Sequence, residues 1–200
     1  MKKILSGIYY YLRAIKDHLW TIWCGIFIGS LGKGSVIRAY CQLEGDSLEC
    51  IKIGNKCLID RYCVLGARTR LKQNEKYIKP MLIMGNGCNL GQYNHITAVN
   101  KIIIGDNLLT GRFVLITDNS HGNFFQDELT IRPSDRPVVS KGSVVIGDNV
   151  WIGDKVSILP GVQIGEGCII AANSVVTHDI PPFSMAAGNP ARVIKHENLQ

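Results

Sequence analysis

Residues 146–181 read IGDNVW, IGDKVS, ILPGVQ, IGEGCI, IAANSV, VTHDIP: six hexapeptides without a gap, an aliphatic residue first in each and a small or branched one fifth. The same phase appears upstream in three blocks of three units, from Leu31, Ile53 and Ile104, and in a fourth from Met84. Internal repeats of this kind take precedence over any local propensity, because they define the architecture. Eighteen units result, and the third of each trio is followed in turn by 4, 13, 2, 24 and 0 extra residues. Insertions confined to one position in every trio predict a triangular coil of three short strands with all its loops leaving at one corner. The first position is aliphatic or Met in seventeen units, Thr110 being the exception, and these side chains are expected to stack inward, coil upon coil. Ser, Cys, Thr or Val fills the fifth position in fourteen units, as a narrow interior requires. The fold expected is all-β: a parallel β-helix of about six triangular coils.

The domain plan follows. Residues 1–30 form a helical segment, 31–182 the β-helix with an extended loop at 117–145, and 183–200 a tail whose stretch from Ala191 to Asn198 is expected to form a short closing helix. Within the first segment Ile4, Ile8, Leu12, Ile15, Leu19 and Ile22 recur at helical spacing. The favoured reading is a helix that caps the open edge of the first coil. A second reading lays it on a membrane surface, given Lys2, Lys3, Arg13, Lys16 and the aromatic residues Tyr9, Tyr10, Tyr11, Trp20 and Trp23.

Composition narrows the function classes. Apolar residues make up 46% and charged residues 19% of the 200, which fits a globular chain and excludes disorder, collagen and a coiled coil. The formal net charge of +6 is uneven: residues 1–30 carry +3 and residues 61–79 carry +5. Two local patches rather than one long stripe argue against nucleic acid as a partner. The apolar run from Leu19 to Ile28 is too short to span a bilayer, and no signal-peptide cleavage pattern follows it. Cys41, Cys57, Cys63, Cys88 and Cys168 occupy fifth positions and read as core fillers, leaving Cys24 and Cys50. With no CxxC or Cys/His metal spacing, a reduced cytoplasmic protein without structural zinc is expected.

Chemistry is expected in the longest insertion, since long loops on a rigid scaffold usually carry active sites. His121 opens it, and Asp118, three residues earlier, is expected to orient its ring and fix the tautomer. A histidine so placed serves as a general base. Asn94 and Asn100 occupy fifth positions where small apolar groups are expected, which marks either an internal polar ladder or an interruption by an acceptor pocket. Asn94 and His95 are therefore candidate acceptor contacts. The basic residues Arg68, Arg70, Lys72, Lys76 and Lys79 read as solvated surface or as a landing site for an anionic glycan or lipid-linked carrier.

Four motifs in order, ITDNSHG, NVWIG, VVTHDIPP and AAGNPARVIK, carry a resemblance that covers roughly residues 31–195. The chain resembles the hexapeptide-repeat acyltransferases, particularly the maltose, galactoside and capsular or lipopolysaccharide O-acetyltransferase group. The resemblance implies a left-handed β-helix and a homotrimer that binds acetyl-CoA between neighbouring subunits, with no metal required. It makes His121 the catalytic base and sets Trp151 near the reacting centre. Gly153, Ala172, Thr177, His178, Arg192 and Lys195 become cofactor contacts, the last two toward nucleotide phosphates. The implied reaction is direct acetyl transfer to a hydroxyl of a sugar or polysaccharide, free or lipid-linked. Amino-sugar N-acetylation, acetylation of an antibiotic and a non-catalytic scaffold are the alternatives. The β-helical carbonic anhydrases share the scaffold but need three zinc histidines, including a pair on one coil that this sequence lacks.

Overall fold

The computed structural model describes residues 2–73 and 76–197. Three parallel sheets run the length of the molecule, each receiving one strand per turn of the chain. Face A stacks six strands from Ser30–Leu31 to Gln163–Ile164, face B begins at Val36–Ile37, and face C stacks six from Gln42–Glu44 to Val175–Val176. Register is strict: Ile96 lies between Leu65 and Ile116, which pairs onward with Ile158 and then Val176. Each first-position side chain therefore sits above its counterpart one coil away, about 4.8 Å along the axis. The resulting core is a column of Ile, Leu and Val with Cys and Ser between, almost all below 5% exposure.

Two of the exceptions to the hexapeptide rule, Asn94 at a fifth position and Thr110 at a first, are one feature. Asn94 and Thr110 are both buried, and the Asn94 amide donates to Thr110 Oγ1, which also accepts the Gly91 N–H at 3.0 Å. Asn94 Oδ1 accepts from the Val114 N–H at 2.8 Å. A polar pair inside a dry column is tolerable only when satisfied in this way.

The corners differ. Between faces B and C the corner residue takes a left-handed conformation in every coil, with φ of 73° at Tyr40, 63° at Tyr62, 61° at Tyr93 and 58° at Phe113. A non-glycine residue there costs about 1–2 kcal/mol. The four rings stack in a ladder, with centroids 5.4, 4.9 and 4.9 Å apart and planes within 9° of parallel. Stacked aromatic pairs contribute about 0.5–1.5 kcal/mol each, enough to offset much of that strain. All the long insertions leave at the corner between faces C and A, as the repeat arithmetic predicts.

Helix α1 (Lys2–Phe27) lies across the open end of coil 1. Capping is its role, but the face that caps is not the aliphatic stripe. Thr21 Oγ1 accepts the Ile37 N–H at 3.0 Å, and Asp17 Oδ1 accepts the Ala39 N–H at 3.0 Å. Arg61 from coil 2 closes on both Asp17 oxygens at 2.6 and 2.7 Å. Cys24 and Ile28 complete this face, while Ile8, Leu12, Ile15, Leu19 and Ile22 are exposed on the other. Backbone groups at a sheet edge need hydrogen-bond partners more than apolar cover, which explains the reversal.

The closing helix expected at the C-terminus is corrected to a strand. Ser184–Gly188 joins face B, and Ala191–His196 returns antiparallel along it. The unpaired edge of the last strand supplies hydrogen bonds that a helix would leave unmade. Asn198, the end of the expected helix, lies outside the described residues.

Candidate active site

The 24-residue insertion is tied down at its root. Ser120–His121 pairs antiparallel with Val138–Val139, and the Gly122 N–H donates to Pro137 O at 2.8 Å. Gly122 has φ of +77°, and a Cβ there would meet Glu128 Oε2 at 2.8 Å, so the turn after His121 requires glycine. The segment then folds over face C, where it walls a cleft of about 170 Å³. His95 and Thr97 form its floor, Asn119 and Val99 its corner side, and His121 and Val138 its wall; the Glu44–Arg68 ion pair and Arg70 close its lower rim. Two histidines from successive coils thus face one cleft.

Several expectations need correcting. Asp118 does not orient His121. It is fully buried, and its two oxygens accept the backbone N–H groups of Val99 and Asn100, both at 2.9 Å. Its role is to fasten the corner of coil 4 to that of coil 3. No hydrogen bond reaches the His121 ring from any described residue. Asn94 is no acceptor contact either, because it is spent inside the column on Thr110 and Val114. Asn119, by contrast, lines the cleft two residues before His121 and is held by Thr117 Oγ1 at 3.0 Å.

The residues carried over from the resemblance fall into two groups. Thr177 and His178 lie at the C–A corner two coils beyond Thr117 and Asp118, so they share the corner from which His121 leaves. The Thr177 hydroxyl and His178 Nδ1 are 2.7 Å apart. Trp151, Arg192 and Lys195 belong to face B, while Gly153 and Ala172 turn the B–C corner. In a triangular cross-section face B lies opposite the C–A corner, so one chain cannot bring Trp151 to His121. Gly153 is also committed: its N–H donates to Ile170 O at 2.8 Å, and a Cβ would fall 2.6 Å from Ala172 N. It is a contact between coils rather than a free donor for an oxyanion.

On the closing hairpin Arg192 and Lys195 are exposed, and among the described residues the Arg192 side chain bonds only to its own neighbour's carbonyl, Ala191 O, at 2.9 Å. Two unspent cations on one rigid hairpin suit the phosphates of a nucleotide. The seven cysteines are free and buried; burial pushes the Cys24 thiol up to about 11 and raises Cys50 and Cys168. None of these three presents a thiolate. Among the described residues no three metal-binding side chains cluster.

Comparison with known proteins follows the same lines. Residues 143–178 match the family "Bacterial transferase hexapeptide (six repeats)". The crystal structure of a maltose O-acetyltransferase from Clostridium difficile is 30% identical, covering 88% of this chain and 73% of that one with a TM-score of 0.54. The chain belongs to the hexapeptide-repeat acyltransferases. Its fold is accordingly the left-handed β-helix of that family. "Putative lipopolysaccharide biosynthesis O-acetyl transferase WbbJ" of Escherichia coli is 36% identical over 121 residues, 59% of this chain and 62% of that relative. The N-acyltransferase AntD from Bacillus cereus, solved with dTDP and 3-hydroxybutyryl-CoA, has a TM-score of 0.71 at 24% identity over 86% of this chain and 85% of that one, a likeness of fold. The chain spans between 50% and 62% of the length of the first curated relatives it matches.

Proposed function

We infer that this hexapeptide-repeat protein is an acetyl-CoA-dependent O-acetyltransferase acting on a hydroxyl of a sugar or glycan, with His121 as general base. One observation carries the reading: the His121 ring stands exposed over a cleft beside His95 and Asn119, with no hydrogen bond from the described residues occupying its nitrogens. A sugar hydroxyl is a weak nucleophile. His121 would take its proton as the oxygen attacks the thioester carbonyl, and would return it to the departing thiol once the carbon–sulfur bond breaks. No covalent enzyme intermediate is needed, in keeping with cysteines confined to the core. Asn119 and His95 would hold the acceptor, Arg68 and Arg70 lying at the rim for any phosphate it bears. Acetyl-CoA would supply the activated acyl group, its phosphates held by Arg192 and Lys195.

The division of residues between opposite sides of one chain supports a homotrimer in which face B of one subunit meets the C–A corner of the next. Light scattering in the presence of acetyl-CoA should give three times the chain mass, and a monomer would refute that arrangement. For the activity, thiol release is measured against sugars, nucleotide sugars, amino sugars and lipid-linked glycans. His121→Ala should lower turnover by roughly 10²–10⁴-fold with the thermal midpoint unmoved. If His121→Ala retains turnover while His95→Ala abolishes it, the base is His95. Preferential acetylation of an amino sugar would replace the O-acetyl reading with the N-acetyl one.

A further inference from the structure

Helix α1 is left with a bare aliphatic face. Its capping side is spent on coil 1, and directly opposite lie Ile8, Ile15, Leu19, Ile22 and Ile26, each between 41% and 68% exposed. No charged residue interrupts that face. From Leu5 to Ile26 the stripe is roughly 33 Å long at the rise of an α-helix. Exposed apolar surface of this extent marks an interaction site.

Charge selects the occupant. Residues 1–30 hold four basic residues and a single acid, Asp17. That acid is buried against Arg61, so the outer surface of the segment offers cations only. Arg13 and Lys16 lie along one margin of the apolar face, on the side that meets the β-helix, Lys16 resting over the Tyr40 ring with its ammonium 4.1 Å from the centroid. Tyr11 and Trp23 border the stripe on its two sides, both more than half exposed. An aliphatic centre, aromatic margins and a cationic margin beside them are the pattern of a helix lying in the plane of an anionic lipid surface. A crossing orientation is excluded by the cap itself, since Thr21 and Asp17 are bonded to coil 1. No described helix is long and apolar enough to span a membrane.

We propose that α1 holds the protein on anionic membranes, its Ile8–Ile15–Leu19–Ile22–Ile26 face in the acyl boundary and the β-helix standing off the surface. The test is flotation of the full chain with phosphatidylcholine vesicles, with and without about 30% phosphatidylglycerol. Binding should appear on the anionic vesicles and be lost in high salt. The double variant Ile15→Glu/Leu19→Glu leaves Asp17 and Thr21 in place and should keep its thermal midpoint while binding at least roughly tenfold more weakly. Should that variant fail to fold, Trp23 fluorescence decides: a blue shift with anionic vesicles that disappears in Trp23→Phe supports the proposal. Wild-type protein that ignores anionic vesicles at low salt overturns it. So does unchanged binding by the folded variant, or a fall in oligomer mass in that variant without vesicle binding by the wild type, which would assign the face to a second copy of the chain.

Discussion

The two ends of the β-helix face one problem and solve it differently. Coil 1 and the last strand of face B each leave backbone groups that the next coil would have paired. At the first end side chains do the pairing: Thr21 and Asp17 reach down from α1 to Ile37 and Ala39, with Arg61 locking Asp17 in place. At the other end backbone does it, as Ala191–His196 runs back along Ser184–Gly188. A side-chain cap depends on residue identity, whereas a backbone cap depends mainly on the chain being there. Point substitutions should therefore be felt at the first end and largely absorbed at the second.

The sharpest way to break this contrast is Asp17→Ala. Asp17 and Arg61 are each about nine-tenths buried, and removing the carboxylate leaves the guanidinium, whose Nη1 lacks a hydrogen bond, with Asp60 at 3.9 Å as its remaining counter-charge. Urea unfolding should show a loss of about 3–5 kcal/mol. Replacing both partners by apolar residues of similar volume should recover most of it, separating the cost of a stranded charge from that of the missing cap. At the far end Ser184→Ala removes a buried hydroxyl that bonds Pro182 O at 3.1 Å and His196 Nδ1 at 2.8 Å. The loss should be about 1 kcal/mol. A loss at Ser184 as large as at Asp17 would erase the distinction.

Acid supplies the smallest effect. Burial opposes the charge on Asp60, but the Arg61 N–H and the Arg38 guanidinium outweigh it and hold the carboxyl below its usual value. A group depressed in the folded state stabilises above its unfolded pKa of about 3.9 and ceases to do so as pH falls through the folded value. Hydrogen exchange should accordingly show coils 1 and 2 loosening first below about pH 4. Earlier loosening of the C-terminal hairpin would contradict it.

Much of this was legible in the sequence, because a repeat with a fixed core position states both the stacking and the corner at which loops leave. What escaped was decided between coils rather than along the chain. Asp118 is close to His121 in sequence, yet the N–H groups of Val99 and Asn100 one coil away had the stronger claim on its carboxylate. Thr110 and Asn94 look like separate lapses until the stacking joins them. The helical stripe of α1 is legible in the sequence and so is the cap, but not that Asp17 and Thr21 rather than the stripe do the capping, since periodicity reveals a face and not its partner. The C-terminal segment has apolar spacing that fits a short helix, and only the open edge beside it makes a strand.

The aromatic ladder has an optical consequence. Tyr40, Tyr62, Tyr93 and Phe113 stack nearly parallel at about 5 Å, so their transition dipoles couple. At the same corner of the last two coils stand Lys155 and Asn173, which carry no chromophore. The ladder's share of the near-ultraviolet circular dichroism should therefore register the stacking of coils 1 to 4 and carry nothing from the stacking of coils 5 and 6, whose Trp151 stands apart on face B. The molecule carries its own gauge for the first four of its six coils, and unwinding that begins at the N-terminal end would be seen before unwinding that begins at the other.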